Sequence, residues 1–362
     1  MKKTILVPLI LISLVACKQE KKTEPNEHVK YMSFNDPDAN FTGIQGIRGV
    51  LNSKDVYIAG TFTTPNDSIT HGVIYKGPLR DSGNLGTWYQ LDYTSTKFND
   101  VTLTSCYGPN NATKGNIRVV GAYKRASTGN RNLGFLYEGS INGNGTWTTI
   151  RPSDVDKDSI YDVFMHSTMG SLAVGNYDLK DKPISGFSFI YDLKTNTNFT
   201  YMVDNSYSTS LYGIWYNGDN NYTLSGGFST HELGELSQGF LVDYNASTKK
   251  FTHFKAFNYN NDPKSTIITH FEGITGAANN GYNIPVDWVT ADGLELGASQ
   301  VTVQRNSDGS FSEAVWNNIS YPASVITTAN TAYKNNILGI YVSKDSTTNT
   351  ETTASFTATL KK

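Results

Sequence analysis

The sequence has little charge, little cysteine and no excess of basic residues. Only 17% of its 362 residues are Asp, Glu, Lys or Arg, and 30 basic residues stand against 32 acidic ones. Without a basic excess the chain lacks the charge that binding to nucleic-acid phosphates requires, so we expect no nucleic-acid partner. Two cysteines cannot build a disulfide framework. The hydrophobic fraction of 38% is too high for a disordered chain.

Tyrosine and glycine are abundant instead, with 22 and 32 copies. Together with many Thr and Asn residues, they are typical of short strands joined by tight turns. No helical periodicity and no second long apolar stretch follow the first 17 residues. These patterns predict an all-β fold.

The N-terminus has the pattern of a secretory signal. Two lysines precede an apolar run over residues 5–15, which is too short to span a membrane as a mature helix. The run ends in residues 14–17, Leu-Val-Ala-Cys, which resemble the lipobox of bacterial lipoproteins. The resemblance implies that Cys17 is lipidated. Because Lys18 follows, where the family's inner-membrane retention signal has Asp, it implies an outer-membrane location. The alternative is an ordinary cleaved signal peptide.

These features divide the chain into three segments. Residues 1–16 are interpreted as a lipoprotein signal peptide, and residues 17–28 as a flexible tether, since they are polar and have nothing to bury. Residues 29–362 form one domain, which we expect to be a monomer attached to the membrane only through the lipid on Cys17.

That domain consists of one repeated unit. A first motif, apolar-x-Gly/Asp-Ile/Val, occurs at residues 41–44, 98–101, 160–163, 211–214 and 271–274, with a degraded copy at 325–328. A second motif, Gly-x-aromatic, follows at residues 60–62, 121–123, 175–177, 226–228 and 339–341, and Val286-Asp287-Trp288 takes its place in the fifth repeat. Two motifs with the same irregular spacing indicate a true repeat.

Each repeat holds four short strand-like runs separated by turn residues, which predicts a β-propeller with six four-stranded blades. The sixth repeat lacks a fourth run before the chain ends, and residues 29–32 at the other end resemble the missing one. We therefore expect an N-terminal strand to close the ring. The alternatives are a linear β-solenoid and a pair of sandwiches.

The turns before the fourth strands, such as residues 81–88 and 140–147, resemble degenerate Asp-boxes of sialidase-type propellers. The Gly-Phe-Leu-Tyr strand at 134–137 is also similar to repeats of bacterial extracellular propellers. These resemblances imply the fold and not sialidase activity. Sialidase chemistry needs three converging arginines, and the few arginines of this chain do not recur at equivalent positions.

The variable position of the first motif begins the innermost strand of each blade, facing the funnel. It holds Thr42, Asn99, Tyr161, Tyr212, Glu272 and Ile326. Tyr161, Tyr212 and the nearby Trp215 are candidate stacking faces, with Asn99 and Glu272 as polar partners, a combination that suits sugars or peptides. The loops between second and third strands share this face and add Arg125 and His231 as candidate ligand contacts. Blade-to-blade packing is the alternative role of the motif positions.

We therefore predict an envelope lipoprotein that binds a glycan or a protein ligand on the funnel face. One alternative is a glycoside hydrolase or lyase, with Glu272, Asp162 or Asp100 as candidate acids, and another is a scaffold in an envelope complex. No cofactor or metal is expected. Asp154, Asp156, Asp158 and Asp162 have part of the spacing of a calcium loop, but the turn Gly and the closing Glu are absent.

Overall fold

The computed structural model describes residues 28–361 except residues 66, 231–236, 265, 291, 292, 294 and 346. Apart from isolated 3-10 turns, the regular structure of these residues is entirely β-strand, so the prediction of an all-β fold is confirmed. No helix in the described part of the chain is long and apolar enough to cross a membrane.

The strands follow one another as antiparallel units of four. The first three units contain β2 (Phe41–Gly49), β3 (Val56–Thr63), β4 (His71–Gly77) and β5 (Thr87–Gln90); β6 (Val101–Asn111), β7 (Ile117–Arg125), β8 (Asn132–Gly139) and β9 (Gly145–Ile150); and β10 (Ile160–Met169), β11 (Leu172–Leu179), β12 (Lys182–Asp192) and β13 (Thr197–Tyr201). Within each unit, consecutive strands are hydrogen-bonded neighbours.

The remaining units differ in their first strands. Unit 4 contains β14 (Ser208–Gly218), β15 (Asn221–Ser229), β16 (Ser237–Asn245) and β17 (Lys250–Phe257); unit 5 contains β18 (Thr266–Phe271), β19 (Thr275–Gly276), β20 (Tyr282–Thr290), β21 (Leu296–Val303) and β22 (Val315–Ile319); and unit 6 contains β23 (Ser324–Thr327), β24 (Thr331–Tyr333), β25 (Asn336–Lys344), β26 (Glu351–Leu360) and β1 (Val29–Ser33). In units 5 and 6 the first strand is thus split in two.

The N-terminal strand completes the last unit. β1 runs antiparallel to β26, with Tyr31 opposite Ala358. This pairing covers an edge of the last sheet that would otherwise offer free backbone groups.

Tight turns with left-handed backbone join many of the strands. Between β14 and β15, for example, Asp219 and Asn220 have φ values of 49° and 60°. Two such residues in succession match the twist of a two-residue hairpin, and Asn and Asp tolerate this conformation better than other non-glycine residues.

The hydrophobic core lies between successive sheets. One cluster joins Tyr57 and Ile74 of unit 1 to Cys106 and Val119 of unit 2, and Cys106 has no exposed surface. The first strands also contact one another from unit to unit, including β2 with β6 and β2 with β24. Side chains on these first strands are therefore brought together from different units.

Candidate functional site

Every unit carries an extra residue in its first strand opposite the start of the Gly-x-aromatic motif or its Val286 counterpart. In unit 1, for example, Ile44 pairs with Gly60 and Gly46 with Ala59, so Gln45 is left unpaired. The same irregularity in the other units leaves Tyr107, His166, Tyr212, Glu272 and Asn330 at the equivalent positions. We call these six residues the bulge positions. A bulge re-aims the side chain that it carries, and bulges are common beside functional sites.

The bulge positions of neighbouring units lie close together. A Cβ atom on Gly46 would stand 1.7 Å from the carbonyl oxygen of Tyr107, so only glycine permits this approach. Between the last and first units, Asn330 Nδ2 donates to the carbonyl oxygen of Ile44 at 2.7 Å and lies 3.5 Å from Gln45 Oε1. The first strands therefore bring their bulge positions into contact across unit boundaries.

Five titratable side chains form what we call the central cluster: His166, Tyr212, His270, Glu272 and Asp287. The ring centroids of His166 and Tyr212 lie 4.6 Å apart in an edge-to-face arrangement, and those of Tyr212 and His270 lie 5.8 Å apart. His270 Nδ1 is 3.7 Å from Glu272 Oε1. The cluster thus draws residues from units 3, 4 and 5.

Hydrogen bonds hold the edges of the cluster. His166 Nε2 lies 2.5 Å from Asn176 Oδ1, and His270 Nε2 lies 2.8 Å from Ser237 Oγ. Asp287 Oδ1 accepts the backbone N–H of Ala329 at 2.8 Å. These contacts fix the two imidazoles and one carboxylate before any ligand arrives.

The environment shifts the protonation of three members of the cluster. Burial lowers the pKa of His166 to about 4. Burial, reinforced by the charge of Glu272, raises the pKa of Tyr212 and raises that of Asp287 well above its ordinary value. His166 and Asp287 nevertheless keep part of their surface accessible, as do Tyr212, His270 and Glu272. Groups that are desolvated and still reachable are typical of the walls of a deep binding site.

This arrangement supports two kinds of chemistry. Aromatic faces beside carboxylate, imidazole and amide groups can stack on a sugar ring and hydrogen-bond to its hydroxyl groups. A carboxyl with a raised pKa beside a second carboxylate also forms a proton donor paired with a base.

The structure places three of the ligand-binding candidates in or beside this region. Tyr212 and Glu272 belong to the central cluster. Trp215 lies three residues after Tyr212 on β14, with its ring 5.7 Å from the guanidinium carbon of Arg48.

The other described candidates lie elsewhere. Asn99 is exposed before β6, and Tyr161 is 42% exposed at the start of β10. Arg125 Nε pairs with Asp100 Oδ1 at 2.7 Å, and its guanidinium carbon lies 3.7 Å from the centroid of Phe98. Arg125 lines a cleft of about 450 Å³ formed by residues of units 2 and 3, outside the central cluster.

Of the three candidate acids, only Glu272 lies in the central cluster. Asp100 is held by Arg125 and by Ser127, whose hydrogen bonds lower the pKa of the carboxyl. Asp162 Oδ1 accepts from the backbone N–H of Asn132 at 2.5 Å. Both carboxylates therefore anchor loops.

The predicted lipidation site Cys17 and the predicted ligand contact His231 lie outside the described residues. Among the aspartates of the calcium-like spacing, Asp156 Oδ1 accepts the N–H of Asp158 at 3.1 Å within the turn, and Asp154 Oδ2 accepts the N–H of Thr200 at 2.7 Å. In the part of the chain that the structure describes, no group of three His, Cys, Asp or Glu side chains is arranged to hold a metal ion.

Sequence reasoning missed His166, His270 and Asp287, together with Asn176 and Arg48. In units 1, 2, 3 and 6 the first motif lies a few residues before the bulge. The bulge positions of these units are Gln45, Tyr107, His166 and Asn330. A usable signal was present: glycine directly follows the bulge residue in four units, at Gly46, Gly108, Gly213 and Gly273.

No known protein family matches the sequence, and no curated protein is significantly similar to it. Among solved structures, a Dyadobacter fermentans protein of unknown function is 12% identical, with 93% of this chain and 100% of that chain covered and a TM-score of 0.54. That likeness concerns the fold alone.

Two glycan-active enzymes are also similar. An α-L-arabinofuranosidase of Fusarium graminearum is 11% identical over 92% of this chain and 98% of that chain, with a TM-score of 0.48. Levansucrase of Bacillus subtilis is 11% identical over 83% of this chain and 94% of that chain, with a TM-score of 0.46. Similarity at this level carries no conclusion about this chain.

Proposed function

We propose that the chain is a six-bladed β-propeller in which each four-stranded unit is a blade. Contacts between first strands support it, as does the hydrogen bond from Asn330 of the last unit to Ile44 of the first. The pairing of β1 with β26 supports closure by the N-terminal strand. In this arrangement the bulge positions surround the axis, and the central cluster lies inside the axial funnel.

We also propose that the mature protein is a lipoprotein held at the outer membrane through Cys17. The support is the lipobox-like sequence at residues 14–17 and the polar segment that follows it. In the native bacterium, metabolic labelling with an alkyne-tagged fatty acid should label the full-length protein and not its Cys17→Ala variant. Equal labelling of both proteins would contradict the anchor.

The principal proposal is that the funnel binds a glycan at the central cluster. The observation that carries it is the convergence of Tyr212, two imidazoles and two carboxylates, all reachable by solvent, from three units. Sugars present apolar ring faces and hydroxyl groups. The central cluster offers an aromatic face for the first and hydrogen-bonding side chains for the second.

A glycan array with the purified domain tests the proposal. Tyr212→Ala and Glu272→Gln should each weaken binding by about tenfold or more, which corresponds to about 1.4 kcal/mol. Tyr161→Ala is the matched control, since this tyrosine is exposed and lies outside the cluster, and it should leave binding unchanged. An array without binding by the folded proteins would contradict the proposal, and enrichment of an envelope protein after crosslinking would favour a protein ligand.

A second candidate function, glycoside hydrolysis, is favoured by one observation. Asp287 has a strongly raised pKa and interacts electrostatically with Glu272, as expected of an acid and base pair on a glycosidic bond. If the protein cleaves a bound glycan, Asp287→Asn and Glu272→Gln should each lower the rate by about a hundredfold or more while Asp162→Asn leaves it unchanged. Binding without release of reducing ends would restrict the protein to binding.

A further inference from the structure

Arg48 reaches across the centre of the molecule. It lies near the end of β2, three residues after the bulge residue Gln45. Its Nη2 is 3.5 Å from Ser167 Oγ in unit 3, and its guanidinium carbon is 5.7 Å from the Trp215 ring in unit 4. Neither unit adjoins unit 1 along the chain, so the side chain crosses the space that the first strands surround.

Arg48 has no carboxylate partner among the described residues. Its Nε is buried without a hydrogen bond, and no carboxylate within the described residues forms an ion pair with the guanidinium. By contrast, Arg118, Arg125 and Arg305 are paired with Glu138, Asp100 and Asp243.

Burial accordingly lowers the pKa of Arg48 to about 10. Removing a cation from water without a counter-charge is unfavourable, and buried charges in proteins are normally paired. The residue as a whole is only partly buried, so part of its surface stays accessible to solvent. The guanidinium therefore lacks a partner that a bound anion would supply.

The position of Arg48 relates it to the central cluster. Trp215, beside Arg48, lies three residues after Tyr212 on β14, and three residues along a strand span about 10 Å, which is roughly the length of a disaccharide. A glycan held at the cluster can therefore place a neighbouring sugar beside Arg48 and Trp215. The single guanidinium matches one carboxylate through two parallel hydrogen bonds, and the Trp215 ring offers a face for the sugar that carries it.

We propose that Arg48 and Trp215 form a carboxylate-binding subsite and that the bound glycan contains a uronic acid. The inference rests on the proposed glycan binding and specifies the class of sugar. It also gives a reason for the unpaired cation: stability is reduced in the free protein and is recovered when the ligand binds.

The experiment compares matched sugars that differ only in the acid group. The probes are methyl glucuronide with methyl glucoside, methyl galacturonide with methyl galactoside, and acetate, each titrated calorimetrically into the purified domain. The domain should bind at least one uronide about tenfold more tightly than its neutral parent. Arg48→Met should abolish this preference, whereas Arg131→Met should behave like the unmodified domain.

Thermal unfolding separates a folding defect from a binding defect. Because Arg48→Met removes an uncompensated buried charge, its melting temperature without ligand should equal or exceed that of the unmodified domain. Uronide should raise the melting temperature of the unmodified domain and not that of the variant. An Arg48→Met variant that unfolds at a lower temperature without ligand would show that the guanidinium is already satisfied and would overturn the inference.

Other results of the sugar and acetate titrations would also overturn the proposed subsite. A preference for uronide that survives in Arg48→Met overturns the subsite. Binding of neutral sugars without any preference overturns it too, but leaves the proposed glycan function intact. Failure of all four sugars overturns the uronic-acid subsite, while the glycan array decides the proposed glycan function separately. Acetate that binds as tightly as the uronides would assign Arg48 to free small anions and overturn the assignment to a sugar.

Discussion

At the scale of single residues, two histidines, the buried His71 and the partly buried His166, respond to their surroundings in opposite ways. His71 is held between Asp92 Oδ2 at 2.7 Å and Asp67 Oδ2 at 2.9 Å. Burial lowers its pKa, but the hydrogen bonds to the two carboxylates outweigh that effect and raise the pKa overall. His166 faces the amide of Asn176 instead of a carboxylate, and burial lowers its pKa to about 4.

These shifts predict opposite effects of pH on stability. The unfolded state of the chain protonates His166 near pH 6.5, before the folded state does, so stability falls as the pH drops from about 6.5 to about 4. The His71 contribution is fully present below about pH 6.5 and is lost as the pH rises through its raised folded pKa.

The test is denaturant unfolding of two variants at about pH 4.5 and about pH 8. His166→Gln should lose less stability than the unmodified domain on acidification, by up to about 3 kcal/mol. His71→Gln should be most destabilised at the lower pH. If the stability difference from the unmodified domain changes with pH in the same direction for both variants, the assignment of the shifts is contradicted.

At the scale of elements, the second-strand glycines set the spacing between the first and second strands. A Cβ atom on Gly60, Gly121, Gly175, Gly226 or Gly339 would stand 1.9 to 2.2 Å from a first-strand carbonyl oxygen. In unit 5 the equivalent residue is Val286, and there the first strand is interrupted between Phe271 and Thr275. The glycine is thus required in the four units whose first strand continues through the bulge, and unit 6 keeps it at Gly339 although its first strand is split as well.

Gly226→Ala is therefore expected to destabilise the domain. The added methyl would lie 1.9 Å from the carbonyl oxygen of Ser210, so the backbone must move, at a cost of about 3 kcal/mol or more. Gly273→Ala is the matched control, because its Cβ would meet nothing closer than 3.4 Å, and it should change stability by less than about 1 kcal/mol. Chemical denaturation measures both, and equal effects would contradict the spacing role of Gly226.

The same elements show what the sequence can and cannot predict. The strand content, the second-strand glycines and the N-terminal strand can be predicted from the sequence, because turn residues and glycine restrict the local backbone conformation. The bulge cannot be predicted in this way, since one extra residue reverses which side chains of the strand lie on which face of the sheet. In addition, the first motif fits the sequence equally well with Gly43 or with Gly46 as its glycine. His270 and Asp287 are cross-strand partners in unit 5, and His166 joins them only through the packing of units, which no spacing along the chain records.

At the scale of the whole molecule, β1 connects the two ends of the chain. It pairs with β26 over five residues, and the next residue, Phe34, donates its N–H to the carbonyl oxygen of Ser355 at 2.9 Å. The Phe34 side chain is fully buried, with its ring centroid 5.1 Å from that of Tyr75 in unit 1. Residues 29–34 therefore form backbone hydrogen bonds with the last unit, and the Phe34 side chain packs into the first unit.

Deleting residues 28–34 should consequently damage more than one unit. The deletion exposes the edge of β26 and removes the Phe34 ring from its pocket; the loss of a buried phenylalanine side chain alone costs about 3 to 5 kcal/mol. An open edge also pairs with other chains, so the shortened domain should unfold at lower temperature and associate in a concentration-dependent way. Scanning calorimetry and light scattering measure these two effects.

A synthetic peptide of residues 28–34 distinguishes a missing strand from general damage. Because residues 28–34 make their contacts through backbone pairing and apolar anchors, among which Phe34 is fully buried, the peptide added in trans should occupy the vacated edge, restore the monomer and raise the melting temperature. The same peptide with Phe34→Ala should restore much less, since it keeps the pairing and loses its fully buried anchor. A shortened domain that is as stable and as monomeric as the intact one would show that the two ends do not depend on β1, and it would count against closure of the propeller by this strand.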